Sequence, residues 1–114
     1  MESKKITKEQ AFYAIETGEF SDEVISSKTK VAVYMTQDWC PQCRYMQNWL
    51  YDLDLEFDLY ELVYNKVDYF DEFRKFKETK WRNGFIPYIR YYVNGVLMNE
   101  SNYVSKEEFL KNFG

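Results

Sequence analysis

The stretch DWCPQCRYMQNWL, residues 38–50, holds the only two cysteines of the 114-residue chain. A helical pattern follows them at once, because Cys43, Met46, Leu50 and Leu53 recur at spacings of three, four and three. The run KVAVYMT just upstream is apolar and rich in β-branched residues, which is typical of a buried strand. The pair therefore lies where a strand passes into a helix, with Pro41 at the first helical position.

The chemistry open to this pair is limited by what the rest of the chain supplies. A structural zinc site needs four nitrogen or sulfur ligands, and an iron–sulfur cluster needs four as well, whereas the chain has two cysteines and no histidine. A protease-like cysteine lacks its histidine base. A permanent staple across so short a loop stabilises little. We therefore expect no metal and no other cofactor, and we favour a redox dithiol over a pair that only fills the core.

The two cysteines differ in their predicted surroundings. Cys40 falls at the start of the helix, where unpaired amides and the helix dipole favour a thiolate, so we expect its pKa to lie below that of a free thiol. Cys43 falls on the inner stripe of the same helix. We expect Cys40 to be the nucleophile and Cys43 to resolve the mixed disulfide that Cys40 forms.

Size and charge exclude several classes of function. With 46% hydrophobic residues and no linker rich in proline, glycine or serine, residues 1–114 are predicted to form a single domain. The net charge of -4 argues against nucleic acid as a partner. The amino-terminal segment lacks the apolar run of a signal peptide, and no stretch of 18 apolar residues occurs, so we expect a cytoplasmic protein with no membrane partner.

Along the chain, helix and strand patterns alternate. Thr7 and Gln10 form a capping box at the start of a first helix, and Gly18 ends it. LEFDLYELVYN predicts a second strand, DYFDEFRKFKETK a further helix, and SKEEFLKNF a closing helix with a capping box of its own. Asn94 and Gly95 separate two β-rich runs and predict a hairpin. The order predicts an α/β fold with a mixed sheet of four strands, or five, flanked by helices on both faces.

At this point the chain resembles a known family. VAVYMTQDWCPQC, followed about forty residues later by FIPYIRYYVNGVL and then by SKEEFLKNF, is similar to thioredoxin over residues 31–114. The resemblance implies that Pro87 is cis and lies against the cysteine pair, and that the backbone of Ile86 pairs with the substrate chain. Trp39, together with Pro41 and Gln42, would shape the same substrate-binding surface.

The resemblance also implies a function. It predicts a monomeric thiol–disulfide oxidoreductase that reduces protein disulfides, carries electrons in cell redox homeostasis and is recharged by a donor like thioredoxin reductase. Two alternatives stay open. One is a thioredoxin-fold module that senses redox state or binds partners without turnover. The other is a glutaredoxin-like reductase, which is disfavoured because VNGVLMNESN stands where a Gly-Gly pair is usual.

Two positions depart from the family. Tyr34 stands where thioredoxins usually carry a buried aspartate that helps take the proton from the second cysteine. A phenol is a much weaker base than a carboxylate, so we expect slow resolution by Cys43. Near the end of the hairpin, a groove glycine is replaced around Ser101 and Asn102, which predicts a bulkier groove and a narrower range of substrates.

Two groups of charged residues are assigned simpler roles. Four acidic residues alternate with apolar ones and are predicted to lie on a solvated face, with cation binding as the alternative: Asp52, Asp54, Glu56 and Asp58. Four basic residues are predicted to complement the dipole at a helix carboxyl end, with partner docking as the alternative: Lys75, Lys77, Lys80 and Arg82.

Overall fold

The sheet organises the molecule. The computed structural model describes residues 3–53 and 56–114 and contains a five-stranded sheet of order β1-β3-β2-β4-β5. Its strands are β1 (Lys4–Lys5), β2 (Lys30–Thr36), β3 (Asp58–Val63), β4 (Tyr88–Val93) and β5 (Val96–Ser101). Strands β1 and β2 run parallel to β3, whereas β4 runs antiparallel to β2 and to β5. The predicted α/β fold with a mixed sheet is confirmed, with five strands.

Local sequence signals set the helix and turn boundaries. The helices are α1 (Lys8–Thr17), α2 (Asp22–Ile25), α3 (Pro41–Leu50), α4 (Phe70–Thr79) and α5 (Lys106–Lys111), and residues 64–66 form a 3-10 turn. Thr7 and Gln10 make both hydrogen bonds of the capping box, and Gly18 ends α1 with a φ of 90°. Asn94 and Gly95 have φ values of 53° and 76°, as the predicted hairpin turn requires.

Helices cover both faces of the sheet and enclose two aromatic-rich cores. Ala11 and Ala14 of α1 and Phe73 and Phe76 of α4 pack on one face, with Tyr88. The other face packs residues of α3 and α5 against the sheet: Tyr34, Cys43, Met46, Ile89, Phe109 and Phe113. The cysteines therefore belong to the second core, at the amino end of α3.

No helix of the described residues is long and apolar enough to cross a bilayer.

Some elements differ from the sequence prediction. Strand β1 and helix α2 were not predicted, and α3 ends at Leu50, although Leu53 is buried just beyond it. The prediction of a solvated acidic face is wrong for Asp58, which is buried. Its carboxylate can be buried because it forms an ion pair with Lys4 and accepts a hydrogen bond from Ser27. Two members, Asp52 and Glu56, are exposed, and Asp54 lies outside the described residues.

The basic cluster near the end of α4 is also divided. Lys75, Lys80 and Arg82 are exposed, whereas Lys77 is fully buried. Lys77 follows Phe73 by four positions, so it lies on the helix face that packs against the sheet. The predicted position of Lys77 in the last turn of α4 is confirmed, but its ammonium is buried and donates to the carbonyls of Asn83 and Phe85.

Candidate active site

Helix α3 begins at the cysteine motif. Cys40 is its N-cap residue, in an extended conformation, and Pro41 occupies the first turn, where a missing N–H costs no hydrogen bond. The amide N–H of Cys43 donates to the sulfur of Cys40 at 3.2 Å, and the amide of Arg44 donates to the Cys40 carbonyl at 3.3 Å. A sulfur held in this position accepts a helix amide and faces the positive end of the helix dipole.

The two sulfurs are joined in a disulfide. The Cα atoms of Cys40 and Cys43 are 5.3 Å apart, a separation that suits a disulfide. Cys40 retains 3% of its surface exposed and Cys43 none. In this oxidised state the difference in exposure between the two cysteines is small, and it favours Cys40 as the more accessible sulfur.

A cavity of about 200 Å³ lies beside the disulfide. Both cysteines reach it, and its remaining walls come from the end of β2, the loop after it, α3 and the end of β3: Thr36, Gln37, Asp38, Arg44, Gln47 and Val63. The lining is mixed in polarity. The cavity gives solvent-sized molecules a route to the sulfurs from the carboxyl end of β2.

The rim of the site is formed by exposed side chains. Trp39 is 61% exposed, and its indole N–H donates to Gln37, while Pro41 and Gln42 are exposed at the first turn of α3. The Asp38 carboxylate forms an ion pair with Lys66, with 2.9 Å between Oδ2 and Nζ. The hydrogen bond from Lys66 holds the pKa of the Asp38 carboxyl below its ordinary value. The rim therefore combines an uncovered aromatic ring with a carboxylate that is already paired.

The loop before β4 contains the predicted cis proline. The Ile86–Pro87 peptide bond is cis, and Pro87 is buried. Ile86 is partly buried and packs against both cores, including the one that contains the cysteines. The neighbouring Phe85 is 73% exposed. Through Ile86 the loop contacts the core that contains the cysteines, and it carries an exposed aromatic ring, Phe85.

Comparison with known proteins identifies the family. The family model described as Thioredoxin matches residues 11–113. The chain belongs to the thioredoxin family. Comparison with curated proteins gives no significant match.

Solved structures agree on the thioredoxin fold. Thioredoxin O2 from Arabidopsis thaliana is 15% identical, with 97% of this chain and 92% of that chain covered and a TM-score of 0.64. The oxidised thioredoxin from Plasmodium falciparum is 18% identical, with 98% and 95% covered and a TM-score of 0.62. A mutated buckwheat glutaredoxin is 11% identical, with 94% and 89% covered and a TM-score of 0.55. Membership in the family and the Cys40–Cys43 pair together support a thioredoxin-like redox role.

Tyr34, at the usual aspartate position of this family, lies directly beneath α3. It is fully buried, and its hydroxyl donates to the carbonyl of Cys43 at 3.0 Å. Burial raises the pKa of the Tyr34 phenol far above its ordinary value, and the negative charge of Glu61 raises it further. Tyr34 therefore stays neutral near pH 7, so its contact with Cys43 is structural and supplies no base.

Glu61 is a buried carboxylate that sequence reasoning missed. It pairs in register with Tyr34 across β2 and β3. Lys5 forms an ion pair with it, and the Tyr51 hydroxyl donates to it. The signal in the sequence is weak, because only the parallel register of two strands separated by a helix places Glu61 beside Tyr34.

Metal ligation gains no support from the described residues. Within residues 3–53 and 56–114, no group of three or more cysteine, aspartate or glutamate side chains is arranged to hold a metal ion.

Sequence reasoning also missed the side chains that hold the Ile86–Pro87 loop from below. Lys77 was assigned to the helix end, and Asn102 only to the groove, whereas both contact that loop directly.

Proposed function

We propose that this member of the thioredoxin family is a thiol–disulfide oxidoreductase that reduces disulfide bonds in other proteins through Cys40 and Cys43. The observation that carries the proposal is the position of the Cys40 sulfur at the start of α3, where it accepts the Cys43 amide at 3.2 Å. The same interaction stabilises a thiolate in the reduced protein. The exposed Trp39 beside it offers an apolar contact to a docking chain.

The reaction takes two exchange steps. The Cys40 thiolate attacks one sulfur of the substrate disulfide, a Cys40–substrate disulfide forms, and the other substrate sulfur leaves as a thiolate. Cys43 then loses its proton and attacks the Cys40 sulfur. The mixed disulfide breaks, the Cys40–Cys43 disulfide forms, and the second substrate sulfur leaves as a thiolate. Two electrons pass from the protein dithiol to the substrate, and the two substrate thiolates become thiols by taking up the proton released by Cys43 and one proton from water.

The second step is where this chain departs from its family. The Tyr34 phenol is neutral near pH 7 because its pKa is raised, so it cannot act as the base that accepts the Cys43 proton. The proton leaves through the solvent-accessible cavity beside the sulfurs or passes to the departing substrate thiolate. We expect this second step to limit turnover.

The cellular setting follows from the same proposal. The oxidised pair is returned to the dithiol by a reductase of the thioredoxin-reductase type, which supplies two electrons. The protein acts as a monomer in the cytoplasm, where the dithiol state is maintained. We expect the reduction potential of the pair to lie at roughly -270 to -200 mV, because Pro41 and Gln42 add no charge to the helix terminus.

The test is reduction of insulin disulfides with a dithiol as electron donor. We expect the unmodified protein to accelerate reduction well above the dithiol alone, and Cys40→Ser to return the rate to that background. Asn48→Ser changes an exposed polar residue of the same helix and serves as the matched control. Reduction no faster than the dithiol alone would contradict the proposal and favour a sensor or binding module. Turnover that requires glutathione would favour the glutaredoxin-like alternative.

A further inference from the structure

A buried amine lies beneath the Ile86–Pro87 loop. The Lys77 side chain has no exposed surface, and its ammonium donates to the carbonyls of Asn83 and Phe85, each at 2.7 Å. The rings of Tyr64 and Tyr88 lie 5.8 and 5.3 Å from the same nitrogen. Its hydrogen-bond acceptors are backbone carbonyls and not carboxylates. Burying a cation in this way is costly, so its contacts with the loop call for an explanation.

The chain between Lys77 and the loop is closed at two points. The amide of Asn83 donates to the carbonyl of Lys77 at 3.2 Å, while the Lys77 ammonium donates back to the Asn83 carbonyl. Arg82, just before Asn83, has a φ of 54°, a left-handed backbone conformation that residues other than glycine rarely adopt. The reversal of the chain after α4 is therefore tightly defined.

A second side chain holds the other end of the loop. The Asn102 amide donates to the carbonyl of Pro87 at 2.9 Å. Asn102 and Asn83 also exchange side-chain hydrogen bonds, at 2.8 and 3.0 Å. The carbonyls of Phe85 and Pro87, the residues on either side of Ile86, are therefore both fixed, the first by Lys77 and the second by Asn102.

The geometry of the peptide unit turns these contacts into a statement about Ile86. The carbonyl of Phe85 and the N–H of Ile86 belong to one planar peptide, and in a trans peptide they point in opposite directions. The cis bond lies one residue later, between Ile86 and Pro87. With the Phe85 carbonyl directed at Lys77, the Ile86 N–H is directed away from Lys77 and from the core beneath the loop.

We propose that Lys77 is a positioning residue for substrate docking, which orients the Phe85–Ile86 peptide so that the Ile86 N–H faces an incoming protein chain. The inference rests on the proposed reductase function and adds the residue that prepares its docking edge. A protein disulfide is carried by a chain that can pair with this edge, whereas a small disulfide has no such chain. Lys77 therefore contributes to the reduction of protein disulfides and not to the reactivity of the sulfurs.

The test compares a protein disulfide with a small one in Lys77→Met, Asn102→Ala and the control Lys75→Met. Met fills the space of the Lys77 stem without its donors, and Lys75 is an exposed lysine of the same helix. For insulin we expect the apparent KM of Lys77→Met and Asn102→Ala to rise by about fivefold or more, the loss of roughly one hydrogen bond, with kcat little changed. Rates with bis(hydroxyethyl) disulfide should match the unmodified protein, and Lys75→Met should match it throughout.

Hydrogen exchange gives a readout that needs no turnover. In Lys77→Met the hydrogen-bonded loop amides of Asn83 and Phe85 should exchange faster than in the unmodified protein, with the amides of β2 unchanged. If Lys77→Met failed to fold, Asn102→Ala at the half-buried end of the loop would carry the test.

Two results would overturn the docking role. One is an unchanged insulin KM in both variants while the unmodified protein is active. The other is an equal loss of rate with both disulfides, which would mean a general disturbance of the site. An unmodified protein that reduces no protein disulfide would instead overturn the proposed function, and the docking role with it.

Discussion

Two segments contribute to the candidate active site, residues 37–43 and residues 83–87, and they are held in different ways. The contacts that place Cys40 are local, since its amide donates to Gln37 and its sulfur accepts from Cys43. The contacts that place the second segment come from side chains elsewhere, Lys77 on α4 and Asn102 after β5. On the proposed function, we expect the start of α3 to set the reactivity of Cys40, and the contacts from Lys77 and Asn102 to set the docking of a substrate chain.

We expect the largest effect on trapping of a substrate when either cysteine is replaced. In Cys43→Ser the attacking sulfur remains and the resolving sulfur is gone, so reduced protein mixed with insulin should accumulate a stable mixed disulfide. Cys40→Ser should trap none. Non-reducing electrophoresis followed by mass spectrometry measures the adduct. Equal capture by both variants would mean that the sulfurs are equivalent and that the helix position of Cys40 does not select it.

The same trap sharpens the comparison with the loop. If docking is separate from reactivity, Cys43→Ser combined with Lys77→Met should capture insulin more slowly than Cys43→Ser alone. Capture of bis(hydroxyethyl) disulfide should proceed at the same rate in both proteins. If capture of insulin and capture of bis(hydroxyethyl) disulfide slowed equally, Lys77→Met would be disturbing the reactivity of Cys40 as well as docking, and the two segments would not act separately.

The difference between the segments also explains what could be predicted. The helix start at Pro41, the capping box of Thr7 and the turn at Asn94 depend on residues a few positions apart, so their patterns are visible in the sequence. Strand β1 has two residues and exists because Lys4 and Lys5 pair with β3. No local pattern announces such a strand.

Side chains that act across the fold were the hardest to assign. Lys77 continues the buried stripe of α4, but a lysine is ordinarily counted as solvated, and the carbonyls it meets lie in a loop whose path the sequence does not specify. Asp58 was hard to assign for a comparable reason, since Lys4, which pairs with it, lies 54 positions earlier in the sequence on the neighbouring strand β1. Their roles depend on tertiary partners and follow only from the folded structure.

A smaller effect should appear in the pH dependence of stability. Burial lowers the pKa of Lys77 to about 8, although the negative charge of Glu78 opposes this shift. The ammonium also lies over the rings of Tyr64 and Tyr88. A lysine in the unfolded chain has a pKa of about 10.4. Between these values the unfolded chain holds a proton that the native protein has lost, so the free energy of unfolding should rise with pH.

This rise is measured as a difference between two proteins. From about pH 7.5 to about pH 9.5 the urea midpoint of the unmodified protein should increase relative to that of Lys77→Met, because both share every other titrating group. Lys75→Met should follow the unmodified protein. Parallel curves for the unmodified protein and Lys77→Met would contradict a buried cation beneath the loop.

The most direct test of the account is the rate at which each cysteine of the reduced protein is alkylated. Iodoacetamide is added at a series of pH values, and peptide mass spectrometry follows Cys40 and Cys43 separately. We predict that Cys40 reacts much faster near neutral pH, with a midpoint below the value of about 8.5 for a free thiol, because its sulfur accepts a helix amide. Alkylation of Cys43 at the same rate, or a Cys40 midpoint at or above that of a free thiol, would contradict the assignment of Cys40 as the nucleophile.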